Sequence, residues 1–386
     1  MDRLQQLDLF APAILSSAQY NVAVTPEVSA WLAADAVCAL GVSGGKDSQA
    51  MSFRLAAYLD EIGHRGPRVL VHSDLGTVEW KDSLPVCERL ARRLGWELLV
   101  LRRAAGDMMD RWERRWANNV ERYANLSCMK LILPWSTPGM RFCTSELKTD
   151  LICRELTKRY PGQKILSATG VRADESAARA KMAIAAPQPK LSARGCQGLN
   201  WNPIIEWSTP SVFDYIALQQ EPLHEAYTRY GTSRVSCAFC IMASASDLIA
   251  SAACPDNAEI YRCMVRLEIA STFALQGAQW LGNVAPHLLT DQERAALAHA
   301  KERAAQRIEA ESLLPKHLLY TDGWPTIMPT PAEAELVAQV RNRVANAIGI
   351  EIQYSTGEEV MARFYQLIAE GAKKATKKAT KKSKKK

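Results

Sequence analysis

No stretch of this 386-residue chain holds the ~18 consecutive apolar residues of a membrane-spanning helix, and its first residues show no basic region leading into an apolar core. These two absences argue against a membrane partner and against a secretory leader, and they set cytoplasmic localisation as the expectation. No internal repeat runs through the chain, which excludes solenoid and propeller architectures. Histidine is scarce, with six residues, none of them paired at metal-ligand spacing. His72 and His224 lie near strand-end or loop motifs and read as structural or exposed. A basic body is also lacking. The net charge is +7, but nine lysines fall in the last fourteen residues, so everything before them carries about −2. That Lys/Ala/Thr tail repels itself, has almost nothing apolar to bury, and is expected to be disordered. It is suited to holding a polyanion such as nucleic acid by counterion release.

Against these absences stand an ordinary globular composition, 48% hydrophobic and 23% charged, and ten cysteines. In a reducing compartment clustered cysteines read as metal or redox ligands rather than disulfides. The length suits one large α/β domain with a helical addition, or two domains. The expected organisation is a flexible segment 1–25, an α/β domain 26–246, a helical region 247–371 and the disordered tail 372–386.

The first half alternates strand and helix. An apolar run, Ala36 to Val42, is followed by a helix from Asp47 to Ile62. A second strand covers Arg68 to Asp74, a helix Glu79 to Gly95, and a third strand Trp96 to Leu101. A fourth strand is expected from Lys164 to Val171, a mobile loop over 181–200, and a short helix from Thr209 to Gln220. This rhythm predicts a doubly wound parallel sheet with its ligand at the strand C-termini, where Asp74 would face a nucleotide or cap a turn. Between Gly106 and Pro138 the period is lost among tryptophans and arginines, which reads as an insertion shaping a substrate channel.

The most specific stretch is Ser43-Gly44-Gly45-Lys46-Asp47-Ser48, directly after the first strand. Without Cβ atoms, Gly44 and Gly45 let backbone N–H groups approach an anion at a helix N-terminus. Lys46 adds a point charge, and Ser43 and Ser48 add hydroxyl donors. The order is wrong for a Walker A loop and lacks the third glycine of a dinucleotide fingerprint. It resembles the PP-loop of the N-type ATP pyrophosphatases, which cut ATP between the α and β phosphates. A second constellation, Gly170 to Ser176 with Arg179, follows the fourth strand. It sets Arg172 and Arg179 beside Asp174 and Glu175, so that the arginines can bind phosphate while a carboxylate orients them.

Further along come Arg141-Phe142-Cys143-Thr144 with Lys148, Asn202 to Ser208, Pro222-Leu223-His224 with Tyr227, and Arg234-Val235-Ser236-Cys237-Ala238-Phe239-Cys240. In this order, over about residues 35–245, the motifs resemble the phosphoadenosine phosphosulfate (PAPS) reductase family. The resemblance implies an adenine-nucleotide α-hydrolase-like fold that works on ATP with Mg²⁺, with Lys46, Asp47 and Arg172 catalytic and ATP held by the loop Ser43 to Ser48 together with Asp74, Gly170, Arg172, Glu175, Arg179 and Arg234. Two departures separate the chain from the sulfonucleotide reductases: no cysteine follows Cys263, and the Lys-Asp pair of the loop is present. Both favour an ATP-cleaving branch, and the Arg-Xaa-Xaa-Cys-Xaa-Xaa-Cys segment is similar to that of the DNA-phosphorothioation pyrophosphatase. The implied reaction adenylates an oxygen acceptor, releases pyrophosphate and lets sulfur from a donor protein displace AMP. The alternatives are a thiol-dependent sulfonucleotide reductase and a nucleotide-binding, DNA-associated module without turnover.

Cys237-Xaa-Xaa-Cys240 with Cys143 upstream points to a metal site. Family members with such cysteines hold a [4Fe–4S] cluster, and zinc accepts the same ligands. Cys128, Cys196, Cys254 and Cys263 are candidates for a fourth ligand, and three buried thiols without metal remain an alternative. At the N-terminus, Gln6-Leu7-Asp8-Leu9-Phe10 resembles the pentapeptide that binds the bacterial sliding clamp. The alternative is that these side chains staple the chain end to its own core.

Overall fold

The computed structural model describes residues 20–320 and 323–383. Two compact units emerge. One takes the residues up to Asp74 with Lys81–Arg103 and Thr144–Ser236; the other takes Leu75–Trp80, Ala104–Cys143 and the chain from Cys237 onward.

The first unit is built on a six-stranded sheet in the order β3-β2-β1-β4-β6-β5. The strands are β1 Val37–Val42, β2 Arg68–Asp74, β3 Glu97–Arg102, β4 Lys164–Ala168, β5 Ala185–Pro187 and β6 Gln197–Trp201. All neighbours run parallel except β5, which pairs antiparallel to β6 at the edge. Central β1 is buried along nearly its whole length, as a strand covered on both faces must be, while β3 alternates as a half-exposed outer strand. Helices Pro26–Ala33, Lys46–Glu61, Ser83–Leu94 and Thr209–Leu218 cover one face around Leu40, Leu70, Leu166 and Trp201. Helix Asp150–Arg159 covers the other, packing Cys153 and Leu156 on Val37, Val69 and Ile165. The expected doubly wound, parallel-dominated α/β sheet is present.

Several boundaries differ from the sequence reading. The fourth strand ends at Ala168 rather than Val171, and the helix expected from Glu79 begins at Ser83. The region 181–200 is not one loop, since it contains β5 and the start of β6. Gln197, Gly198 and Asn200 hide the strand in the sequence, and its partners decide it: a Cβ on Gly198 would lie 2.1 Å from that of Leu191. Residues 20–25 are not a flexible end either. Tyr20 is buried against Trp207 and Tyr215, and Ala23 donates its N–H to Pro203 O at 2.8 Å while accepting from the Trp201 indole. Gln6–Phe10 lie outside the described residues.

The second unit is helical. The stretch with no sequence period forms helix Met108–Ala124, started by a reciprocal capping box between Asp107 and Asp110. Trp112 and Trp135 are core residues there, with rings 5.3 Å apart edge to face. Helices Ala258–Ser271, Asp291–Ser312, Pro331–Ile348 and Gly357–Ser383 follow. A core of Tyr123, Val337, Val344, Val360 and Phe364 joins the last two to the end of Met108–Ala124. The final helix carries the backbone of residues 372–383 as helix, where the sequence reading expects disorder. Ala and Lys are good helix formers, and here they extend an amphipathic helix already nucleated by its packing.

Candidate active site

The strand order places a topological switch point between β1 and β4, because β1 leads outward to β2 and β3 while β4 begins the other half of the sheet. Crevices at such points, outside the strand C-termini, are where open α/β sheets take ligands. Two loops meet there, Ser43–Gly45 after β1 and Thr169–Arg172 after β4.

The first loop is shaped by its glycines. Gly44 has φ +75°, and a Cβ on it would come 2.9 Å from the Ser83 carbonyl oxygen. Gly45 caps helix Lys46–Glu61, and the Ser48 hydroxyl bonds back to Gly45 O at 2.8 Å while accepting from Ser43 N–H. The result is a closed turn at a helix N-terminus, with Ser43 exposed at its rim. Gly170 lets the second loop press on the first, since a Cβ there would meet the Asp47 carbonyl at 2.9 Å.

Lys46 is buried. Its Nζ lies 3.2 Å from Asp47 Oδ2 and 3.4 Å from Ser233 O, and it sits over the rings of Tyr227 and Phe213 at 5.4 and 5.7 Å. The Tyr227 hydroxyl accepts N–H bonds from Lys46 and Val235, and burial pushes its phenol well above the ordinary range, so it stays protonated. Arg172 is 2% exposed. Its Nε donates to Asp47 Oδ1 at 2.7 Å, Nη1 to Asp174 and Trp207 O, and Nη2 to Thr209 Oγ1. A buried guanidinium must be paired, and this one is. It therefore holds Asp47 from behind instead of presenting itself to phosphate as the sequence reading expects. Asp174 does orient it. That carboxyl is held below its usual range by the N–H and hydroxyl of Thr209 and by Arg172. Glu175 accepts from the Arg172 backbone and pairs with Arg179. His224 is buried, with Nδ1 accepting the Ala226 N–H and Nε2 3.3 Å from Ser83 Oγ; burial lowers its pKa to about 4, keeping it neutral.

Asp74, at the end of β2, pairs with Arg102 of β3. Arg234 is exposed, next to the Ser233 that Lys46 contacts. On the other side of Thr169, a cavity of about 460 Å³ opens at the ends of β4 and β6, lined by Thr149, Ser167, Asn200, Asn202 and apolar neighbours, with no charged residue. The sequence reading missed Phe213 and Thr209. Nothing in a short helix starting at Thr209 marks which of its side chains face the loop.

Cys143, Cys237 and Cys240 all belong to the second unit and are half-buried. Ala238 N–H bonds to Val78 O at 2.9 Å, fixing the start of the Cys-Xaa-Xaa-Cys turn. The Gln276 amide, also missed from sequence, donates to the carbonyls of Ile241 and Ala243 and fixes its end. Met242 N–H points at Cys240 Sγ at 3.4 Å, as a backbone donor to a ligand thiolate would. Among the described residues, however, no three His, Cys, Asp or Glu side chains are grouped to hold a metal ion, so the four-ligand zinc site is not preformed there. Of the fourth-ligand candidates, Cys196 lies in the first unit, with its thiol bonded to Tyr160 O.

Sheet order and loop geometry define an α/β protein of the PP-loop class. Residues 37–243, more than half of the chain, match the phosphoadenosine phosphosulfate reductase domain, and the chain belongs to that family. Two solved structures are similar. The PAPS reductase of Candida auris, in a phosphate complex, is 13% identical with a TM-score of 0.34, over 52% of this chain and 80% of that one. The U34-tRNA thiolase NcsA of Methanococcus maripaludis, with its [4Fe–4S] cluster, is 15% identical with a TM-score of 0.37, over 63% of this chain and 74% of that one. No curated protein matches. The family makes this an enzyme of the PAPS-reductase, PP-loop type. No helix among the described residues is long and apolar enough to cross a membrane.

Proposed function

We propose that the chain is an ATP pyrophosphatase that adenylates an oxygen acceptor on nucleic acid in preparation for sulfur transfer. The observation that carries this reading is the retained Lys46-Asp47 pair in a glycine-shaped turn at the switch point, with Asp47 clamped by buried Arg172. The turn and the helix N-terminus would cradle the leaving pyrophosphate, and Lys46 would neutralise charge developing between the α and β phosphates. Arg172 is a positioning residue, keeping Asp47 and through it Lys46 in place. Mg²⁺, bound chiefly by phosphate oxygens, would supply further charge neutralisation. Both Asp47 oxygens already face cations, so the protein offers it no ready carboxylate there.

Cys143, Cys237 and Cys240 would ligate a [4Fe–4S] cluster. Their chemistry and the N–H aimed at Cys240 suit it, although one ion is not encaged by them. Proposed partners are a sulfur-donor protein, nucleic acid reached through the lysine-rich end, and a sliding clamp bound through Gln6–Phe10. The testing experiment is ATP–pyrophosphate exchange with DNA, RNA and sulfate as acceptors. Exchange that requires nucleic acid supports the reading. Thiol-driven sulfite release from PAPS, without exchange, would replace it with the reductase alternative. Tight ATP binding with no turnover on any acceptor would leave the binding module.

A further inference from the structure

Helix Met108–Ala124 carries a second basic feature unrelated to the lysine-rich end. At 3.6 residues per turn, Arg111, Arg115, Asn118 and Arg122 fall within about 60° of arc. They line a concavity of about 250 Å³ with Asn119 and Ile132, and no carboxylate is among its lining residues. Glu113 lies on another side of the helix, against Trp116 and Cys263. The row is pre-organised. The guanidinium groups of Arg111 and Arg115 stack on the Phe142 ring at 4.5 and 5.0 Å, and Arg115 Nε is fixed on Leu133 O at 3.0 Å. Arg122 donates to Ser127 O at 3.4 Å, a long bond that leaves it the most adaptable of the three. Asn119 forms part of the wall, accepting the Ile132 N–H at 2.7 Å.

We infer that this arginine row is a phosphodiester-binding track for a nucleic-acid strand. Planar guanidinium groups held by stacking present paired N–H donors to phosphate oxygens and lose little freedom in doing so. From Arg111 to Arg122 the row is roughly 16 Å long, enough to meet more than one phosphate of a strand, whose charges recur at about 3.4 Å of axial rise in a duplex. The row converges on Phe142, the immediate neighbour of Cys143, so a strand lying on it passes beside that cysteine. Identifying the strand as the enzyme's acceptor rests on the adenylation reading; binding itself does not.

The test measures binding of fluorescein-labelled duplex DNA, single-stranded DNA and RNA to the full chain across a salt series. Replacing Arg111, Arg115 and Arg122 together by Gln is expected to weaken binding and to flatten the log–log salt slope, by up to about 2.7 for a duplex and about 2.1 for a single strand. Arg122→Gln alone, which touches no stacking contact, should give about a third of that and guards against misfolding of the triple variant. Arg114→Gln, an exposed arginine of the same helix outside the row, should change the slope by less than Arg122→Gln does. Equal losses from Arg114→Gln and Arg122→Gln, or an unchanged slope in a folded triple variant, would overturn the track. So would one-to-one displacement of the oligonucleotide by millimolar inorganic phosphate from the wild type, which marks a single-anion site. If the slope falls as expected but pyrophosphate exchange is absent, the track stands and the adenylation reading falls. If exchange on nucleic acid persists with an unchanged slope, the reverse holds.

Discussion

At the scale of single residues, the site depends on one half-buried carboxylate between two buried cations. Lys46→Ala removes the buried ammonium at the first residue of the loop's helix, and Asp47→Ala leaves Arg172 buried with its closest charged partner gone. Either change should lower pyrophosphate release at least ~100-fold, corresponding to about 3 kcal/mol in the barrier. Turnover at the wild-type rate in both variants would remove the loop from the chemistry. Asp47→Ala should also destabilise the fold, since breaking a buried pair strands its partner; Lys46→Ala serves as the cleaner kinetic probe. His224 makes a pH prediction. Burial holds it neutral to about pH 4, with Asp82 working against this and Arg89 with it, whereas the unfolded side chain takes up a proton near 6.5. The unfolded state therefore binds more protons in that window, and stability should fall as pH drops from 6.5 towards 4. His224→Asn keeps an acceptor for the Ala226 N–H and should show a shallower loss of urea midpoint over the same range. Identical pH profiles for the two proteins would show that the titration lies elsewhere.

At the scale of elements, the Cys237–Ala243 turn is the part whose shape matters most. It is pinned at one end to Val78 and at the other by the Gln276 amide. If it presents thiolates to a cluster, anaerobically purified protein should be brown and carry stoichiometric iron, and Cys237→Ser or Cys240→Ser should lose both. Gln276→Ala should leave all cysteines in place yet reduce iron retention, because the carbonyls of Ile241 and Ala243 lose their donor and the turn loosens. Iron content in Gln276→Ala equal to wild type would show that the turn holds its form without the amide. Helix Met108–Ala124 teaches the same lesson from another side. Its apolar residues, Met108, Met109, Trp112 and Tyr123, are buried on one face while its arginines line another, but the mixture of tryptophan and charge conceals that division in the sequence.

At the scale of the whole molecule, charge is unevenly distributed: acidic residues balance the basic ones through the body, while nine lysines crowd the chain end and a row of arginines lies along one helix. Lys374 sits 4.3 Å from the Trp324 ring, so a truncation that spares this contact starts at residue 375. The sequence beyond it has seven lysines and no apolar side chain larger than alanine's. Deleting 375–386 should leave the melting temperature unchanged and weaken nucleic-acid binding. If about half of those lysines engage phosphates, the duplex salt slope should flatten by about 3. An unchanged affinity would assign the segment to another partner. Because the arginine row is a separate set of charges, the two losses should add.

Much of this protein was legible in one dimension, for identifiable reasons. An apolar strand running into Ser-Gly-Gly-Lys-Asp-Ser is a local signal, since the turn, the helix start and the anion cradle are all made by adjacent residues. The alternation of strand and helix up to Leu101, and the helical second half, are likewise written in periodicities of a few residues. Only the tertiary structure decided what depends on distant partners. Arg172 reads as a phosphate ligand beside Asp174 and Glu175, yet Asp47 and Thr209, far away in sequence, turn it into a buried brace. β6 is a strand because β4 and β5 hydrogen-bond to it, against the leaning of its own Gln, Gly and Asn residues. Tyr20, which the sequence alone assigns to a flexible segment, is ordered because Trp207 and Tyr215 offer it a place to bury. In each case the deciding energy is burial or pairing with a group that the local sequence does not contain.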